Sequence, residues 1–249
     1  FPLTKAKIRV HTIPHHPDVE VQDEAFVMVP KDTAEYGVIS DIDDTVLRSY
    51  VTSPLMSKTA YYTFFKSAKS RMSFAGAPEL YRALRKGSDG NRRNPIFYVS
   101  NSPYNLFDFL MAFLETAKLP LGPIMLRDFG LFKQRDPNLK SEKYENIAHI
   151  LRAYPDLPFI LIGDSGEKDA DIYQDITRNF PNRIQAIYIR DVQSKRRAKR
   201  IKVLIDSFKD VTMILANDST VIEKHAIEQG FIREQTLEKA KEQLQGEGV

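Results

Sequence analysis

The stretch Gly37-Val38-Ile39-Ser40-Asp41-Ile42-Asp43-Asp44-Thr45 decides how this chain is read. A short apolar run ends abruptly in acids and a threonine. Asp41 and Asp43 stand two residues apart, so while the backbone stays extended their carboxylates point the same way. Further runs of the same kind follow at Ile96–Ser100, Ile124–Leu126, Phe159–Gly163, Ile184–Ile189 and Val211–Leu215. Helix-like stretches separate them: Ala77–Lys86, Asn105–Lys118, Ser141–Tyr154, Asp169–Asn179 and Ser219–Gly230. Short apolar strands alternating with longer helices predict βαβ units and a parallel sheet covered on both faces. The expected fold is therefore α/β, a three-layer Rossmann-like parallel sheet.

The interval from Asp41 to Ile96 is too long for one crossover helix, and a small helical insert is placed at about 49–73. Upstream, Ala6, Ile8 and Val10, then Val19, Val21, Ala25, Val27 and Val29, fall on every second position. That is the period of half-buried strands, and residues 1–35 read as a short N-terminal β appendage. The main domain is expected over 36–232, followed by a C-terminal helix and tail over 233–249.

In open parallel sheets, ligands bind beyond the carboxyl ends of the strands, where the strand order reverses. The first run delivers Asp41, Asp43 and Asp44 there; the second delivers Ser100, Asn101, Ser102 and Pro103; the fourth delivers Gly163, Asp164, Ser165, Gly166 and, a little further on, Asp169. A carboxylate near its ordinary pKa of ~3.9 is ionised at neutral pH and can attack without prior activation. A second carboxylate beside it raises the proton affinity of one of the pair, which suits acid–base work. Carboxylates gathered at one point repel unless a cation lies among them, and oxygen-only donors suit Mg²⁺.

Composition excludes several classes. The 249 residues contain no cysteine, which rules out disulfide scaffolds, thiolate zinc sites and a cysteine nucleophile. The longest apolar run, Phe109–Leu114, is far below the ~20 residues that span a bilayer. The chain starts at Phe1 with no basic-then-apolar leader, so no uncleaved signal peptide is expected. A net charge of +3 offers little long-range attraction to a polyanion, which argues against nucleic acid. An EF-hand reading from Asp41 fails, with Val46 where glycine and Thr52 where glutamate would stand. Gly163-Asp164-Ser165-Gly166 lacks the second glycine of a serine-hydrolase elbow, Glu167 taking its place. His11, His15 and His16 read as a solvated loop rather than a metal site. Ser102-Pro103 is expected to cap the next helix, with proline at its first position.

Taken together these motifs resemble the haloacid dehalogenase superfamily of phosphotransferases. Asp41-x-Asp43-x-Thr45 resembles its first motif, Val99-Ser100 its second, a lysine before the fourth strand its third, and Gly163-Asp164-x4-Asp169 its fourth. The runs ISDIDDT, FYVSNSPYNL, LRDFG, LIGDSGEKD and IYIRDV, with the late His225-Ala226, are similar to the catalytic domain of the actin-patch-protein family of phosphatidate phosphatases over roughly 36–232. The resemblance implies a fold of haloacid dehalogenase type and a Mg²⁺-dependent phosphatase working through an aspartyl-phosphate. In that scheme Asp41 attacks phosphorus, and Asp43 protonates the leaving oxygen and then activates water. Thr45 orients Asp43, while Ser100 and the backbone N–H of Asn101 hold phosphoryl oxygens. Asp41, the main-chain carbonyl of Asp43 and Asp164 bind the metal, with Asp169 supporting it from behind. For the lysine, Lys140 and Lys143 both stand at the start of a helix, and Lys143 fits the family spacing better. Arg127 and Arg190, each at a strand end, are candidates to contact substrate.

The expected substrate is a phosphate ester, a lipid phosphate by the resemblance. The same chemistry on a soluble ester, nucleotide or phosphoprotein, or a non-enzymatic lipid-binding or regulatory module, remain open. Six cations in the eight residues Lys195–Lys202 read as a solvated face or as a peripheral contact with an anionic membrane surface. Tyr61, Tyr62, Phe64 and Phe65 in the insert are open to packing or to a headgroup layer.

Overall fold

The computed structural model describes residues 3–10, 21–42, 76–127, 140–166, 168–192 and 194–246. Asp43, Thr45, the insert at 49–73 and His11, His15 and His16 lie outside them.

An antiparallel hairpin opens the chain: β1 (Leu3–Val10) pairs with β2 (Val21–Met28), Val10 opposite Val21. The main sheet holds β3 (Gly37–Asp41), β4 (Ile96–Pro103), β5 (Ile124–Arg127), β6 (Phe159–Asp164), β7 (Ile184–Arg190) and β8 (Met213–Ala216). Their spatial order is β5-β4-β3-β6-β7-β8, and every pairing is parallel. The chain therefore winds outward from β3 in one direction, then crosses back and winds outward in the other from β6. The reversal falls between β3 and β6, the place where a doubly wound sheet opens its crevice.

The winding decides which face each helix covers, because parallel crossovers are right-handed. α1 (Ala77–Lys86) and α2 (Phe107–Thr116) pack one face with α6 (Ser219–Glu228) and α7 (Glu234–Gly246). α3 (Glu142–Ala153), α4 (Asp169–Asn179) and α5 (Lys195–Ser207) pack the other. Alternation along β3 shows the division: Val38 and Ile42 join the first core and Ile39 the second. The buried hydrophobic runs at β6 and β7 have both faces covered, as the near-continuous apolar sequence requires. Local chemistry sets the helix starts. Ser141 Oγ accepts from Tyr144 N at 3.2 Å and Asp218 Oδ1 from Thr220 N at 3.0 Å, each satisfying a donor of the first turn.

Two expectations change. Ser102 and Pro103 belong to the extended end of β4, and Pro103 precedes a single 3₁₀ turn (Tyr104–Leu106) before α2. Ser102 is bonded to Ser100 rather than capping a helix. The last strand begins at Met213 rather than Val211. The basic run is a helix, α5, anchored through buried Ile201. Among the described residues no helix is long and apolar enough to cross a membrane.

Candidate active site

β3 and β6 are hydrogen-bonded neighbours with Ser40 level with Ile162, so their ends bring Asp41 and Asp164 to one rim at the reversal of strand order. Lys143, in the first turn of α3, projects between the acids. Its side chain is 0% exposed, its Nζ stands 2.7 Å from Asp41 Oδ1, and it also pairs with Asp169 Oδ1. A lysine so deep in the protein stays charged only with carboxylates against it, and here it has two. Lys140 instead points outward, to Asp175 Oδ2 at 3.5 Å and over the Tyr144 ring at 4.1 Å.

Asp169 is the first residue of α4, where the helix dipole favours an anion. Its second oxygen accepts from the backbone N–H of Asp164 at 3.0 Å. One buried carboxylate thus holds both the lysine and the strand end that presents Asp164. A Cβ on Gly163 would lie 2.5 Å from Asp169 Oδ2, so glycine is what lets the carboxylate reach the backbone. Asp164 Oδ1 in turn accepts from Gly166 N at 2.6 Å, and its Oδ2 lies 3.5 Å from Arg190 Nη2 at the end of β7.

Ser100 lies on β4, one residue beyond Val99, which is level with Asp41. Its buried hydroxyl donates to Ser102 Oγ at 2.8 Å and accepts from Ser102 N at 3.0 Å. Asn101 follows on the same strand end. Arg127 stands on the edge strand β5, its Nε 3.5 Å from Glu142 Oε2. The structure therefore brings Asp41, Lys143, Asp164, Asp169 and Arg190 together, puts Ser100 and Asn101 on the adjoining strand, and sets Arg127 at the sheet's edge.

Two tyrosines join the site without any motif to announce them. Tyr81 of α1 sits 2.7 Å from Ser40 Oγ, and Ser40 Oγ donates to the Asp41 carbonyl at 3.0 Å. Burial pushes the Tyr81 phenol up to about 12, so it is a neutral hydrogen-bonding group at any ordinary pH. Tyr173 of α4 donates to the Ile162 carbonyl at 2.9 Å, bracing β6 two residues before Asp164. In sequence both look like ordinary apolar-face positions of amphipathic helices.

Asp41 is not the unperturbed carboxylate that the sequence alone led us to expect. Burial, then repulsion from Asp169, push its pKa well above the usual carboxylate range, while Lys143 opposes them. Among the described residues the rim gathers three carboxyl groups, Asp41, Asp164 and Asp169, beside two cations, Lys143 and Arg190. Among the described residues no three His, Cys, Asp or Glu side chains gather as a complete metal-binding group. Asp41 and Asp164 nevertheless offer an all-oxygen pair on adjacent strand ends, the donor chemistry that a hard divalent cation takes.

Residues 36–191 match the family described as "Phosphatidate phosphatase APP1, catalytic domain". The chain is 36% identical over 156 residues to "Phosphatidate phosphatase APP1" of Saccharomyces cerevisiae, and 31% identical over 160 residues to an uncharacterized protein of Schizosaccharomyces pombe. Those matches cover 62% and 64% of this chain and 25% of each relative, so the chain spans about a quarter of the length of the curated relatives it matches. No solved structure matches it significantly. The matched span begins at Tyr36, immediately before β3, and ends at Asp191, immediately after β7, enclosing every acid and lysine of the rim. By that match the chain belongs to the phosphatidate phosphatase APP1 catalytic-domain family.

Proposed function

We propose that this chain is a Mg²⁺-dependent phosphomonoester hydrolase of haloacid dehalogenase type, acting on a lipid phosphate, phosphatidate, to release diacylglycerol. The observation that carries the reading is the juxtaposition of Asp41 and Asp164 at the reversal of strand order, tied together through Lys143 and Asp169. An acid cluster with a fully buried lysine at its centre is expensive to assemble, and capping a strand end does not call for it.

In the proposed sequence Asp41 attacks phosphorus and the bond from phosphorus to the leaving alkoxide breaks. Asp43 supplies the proton that the alcohol takes away, then accepts one from the water that cleaves the aspartyl-phosphate and frees inorganic phosphate. Thr45 orients Asp43. Lys143 holds Asp41 in place and offsets charge, while Ser100 and the N–H of Asn101 hold phosphoryl oxygens. Arg190, and at greater remove Arg127, meet the substrate. Asp169 acts through Lys143 and the Asp164 backbone. Asp41, Asp164 and the main-chain carbonyl of Asp43 would hold Mg²⁺, whose charge offsets that of the carboxylates and the phosphoryl group. Splitting one slow displacement into two assisted steps, with charge stabilisation at each, accounts for rate in this kind of chemistry.

The name of the yeast relative supports a lipid phosphate. So do the cations in the first two turns of α5, where the helix dipole disfavours them. Arg197 and its neighbours on that helix support peripheral contact with an anionic headgroup layer. The test is phosphate release from phosphatidate in mixed micelles and from water-soluble esters, with Mg²⁺ and with chelator, for the native chain and Asp41→Asn. Release from phosphatidate that needs Mg²⁺ and disappears in Asp41→Asn is expected. Full activity in Asp41→Asn refutes the aspartyl-phosphate, and a strong preference for soluble esters refutes the lipid.

A further inference from the structure

Beneath the rim, between the sheet and the helices of the α1–α2 face, lies a cavity of about 480 Å³. Its two ends differ in chemistry. α1 precedes β4 and so starts at the rim, and there the lining holds the charged groups Asp41, Glu79, Asp164 and Arg190. α2 follows β4 and so finishes at the opposite end of the strands, where the lining is Thr116, Ala117, Lys118 and Leu119. Between the ends the walls are apolar, with Leu80, Leu114 and Ile162 among them.

The polar atoms at the far end are already engaged. Tyr98 Oη donates to the Pro120 carbonyl at 2.7 Å, Lys118 Nζ to the Leu244 carbonyl at 3.4 Å, and Thr116 Oγ1 to the Ala112 carbonyl at 2.8 Å. Protein interiors leave few voids larger than a water molecule, and a void without polar partners does not hold water well. A large apolar space that begins at the acid rim and runs under it therefore calls for an occupant that is charged at one end and hydrocarbon along the rest.

We propose that this cavity is a chain-binding subsite, taking one hydrocarbon chain of a lipid phosphate while the phosphate sits at Asp41. The inference rests on the phosphatase reading above and adds to it where the chain goes and how long it can be. A methylene occupies about as much space as a water molecule, ~30 Å³, so a cavity of this size has room for a chain of many such groups below the phosphate. The subsite selects by length: binding tightens with each added carbon until the cavity is full, and then stops improving.

The test measures binding of butyl-, octyl-, dodecyl- and hexadecylphosphonate, each below its micelle concentration, beside straight-chain alcohols of the same lengths. These phosphonates carry the charge and the tail but have no ester to cleave. Each methylene is expected to tighten phosphonate binding by up to about fourfold. Ala117→Phe, which fills the far end, should end that gain at a shorter chain while leaving butylphosphonate binding unchanged. Ala117→Leu adds less bulk and serves if the larger substitution prevents folding. Affinity that is flat from butyl upward overturns the subsite, and turnover of short-chain phosphates in the same preparation would leave the phosphatase reading standing. A length profile unmoved by either substitution overturns it too. Alcohols that bind as well as phosphonates overturn the link to the phosphate site and count against the phosphatase reading as well.

Discussion

Replacing Lys143 with methionine should expose how the acid cluster is held together. At 2.7 Å the attraction between Nζ and Asp41 amounts to about 6 kcal/mol for an effective dielectric near 20. Asp169 makes a second contact of the same kind. Most of that attraction offsets the desolvation of three buried charges, so the measurable quantity is what happens when the cation alone is withdrawn. Breaking a buried pair from one side costs about 3–5 kcal/mol, a large part of the 5–15 kcal/mol typical of a domain. The assay is denaturant unfolding in chelator, for Lys143→Met, Asp169→Asn and the double variant. The double variant should be more stable than the sum of the single losses predicts, by about 1–3 kcal/mol, because Asp169→Asn removes a charge that the methionine left uncompensated. The deficit should also depend on pH in a definite direction. Asp41 already titrates above its ordinary 3.8, and Lys143 is what holds it down. Without the lysine the folded-state pKa rises further, so the folded protein keeps its proton where the unfolded chain has lost it. The loss is therefore smallest in acid, grows as pH rises toward that raised pKa, and levels off above it. Additive single effects, within about 0.5 kcal/mol, or a deficit independent of pH, would refute the reasoning.

Three further outcomes follow from single contacts. Gly122→Ala places a Cβ 1.9 Å from the Ile96 backbone carbonyl, which cannot turn aside, and should cost about 3 kcal/mol in unfolding free energy, the upper end of overpacking penalties. Tyr81→Phe removes the phenol that meets Ser40 behind the Asp41 carbonyl; about 1 kcal/mol of stability should go, with kcat falling more than KM changes. His225, bonded through Nδ1 to Tyr188 at 2.9 Å, has its pKa lowered by burial. Its contribution to stability is therefore complete above about 6.5 and falls away as pH drops below that, a slope that His225→Asn should flatten in unfolding measurements.

Strand ends were the legible part of this protein. Apolar runs of four to six residues that stop at Asp41, Ser100 and Gly163-Asp164 mark where a parallel sheet delivers its chemistry, because both faces of such strands are covered and only their ends are free to carry polar groups. The helix-like stretches Ala77–Lys86 and Asp169–Asn179 are helices with those bounds in the structure, the first flanked by Gly76 and Gly87 and the second opening on an acid. α5 did not announce itself, because six cations hide the apolar stripe that seats Ile201. Ser102-Pro103 misled for the opposite reason: its capping signature is real chemistry, but the pairing of Pro103 with Arg127 on β5 keeps that backbone extended.

What stayed hidden at the site shares one physical character. Lys140 and Lys143 are three residues apart, one just before and one within the first turn of α3; the family spacing favoured Lys143, but composition does not separate a lysine that sinks between two carboxylates from one that lies over a tyrosine ring. The difference is a matter of which side of α3 meets the sheet, and the packing of its buried residues Tyr144, Ile147 and Leu151 toward β4 and β5 decides it. Tyr81 is the same case on the other face. It occupies an apolar-face position of α1, and its hydroxyl matters only because β3 places Ser40 beneath it. The cavity is further still from the sequence, since it is made of side chains that are absent from it as much as of those that line it: a small residue, Ala117, stands at its far end, where a larger one would close it. A pattern of residues along a chain records where chemistry is delivered. The space left beside that chemistry is a property of several elements at once, and no single run of sequence carries it.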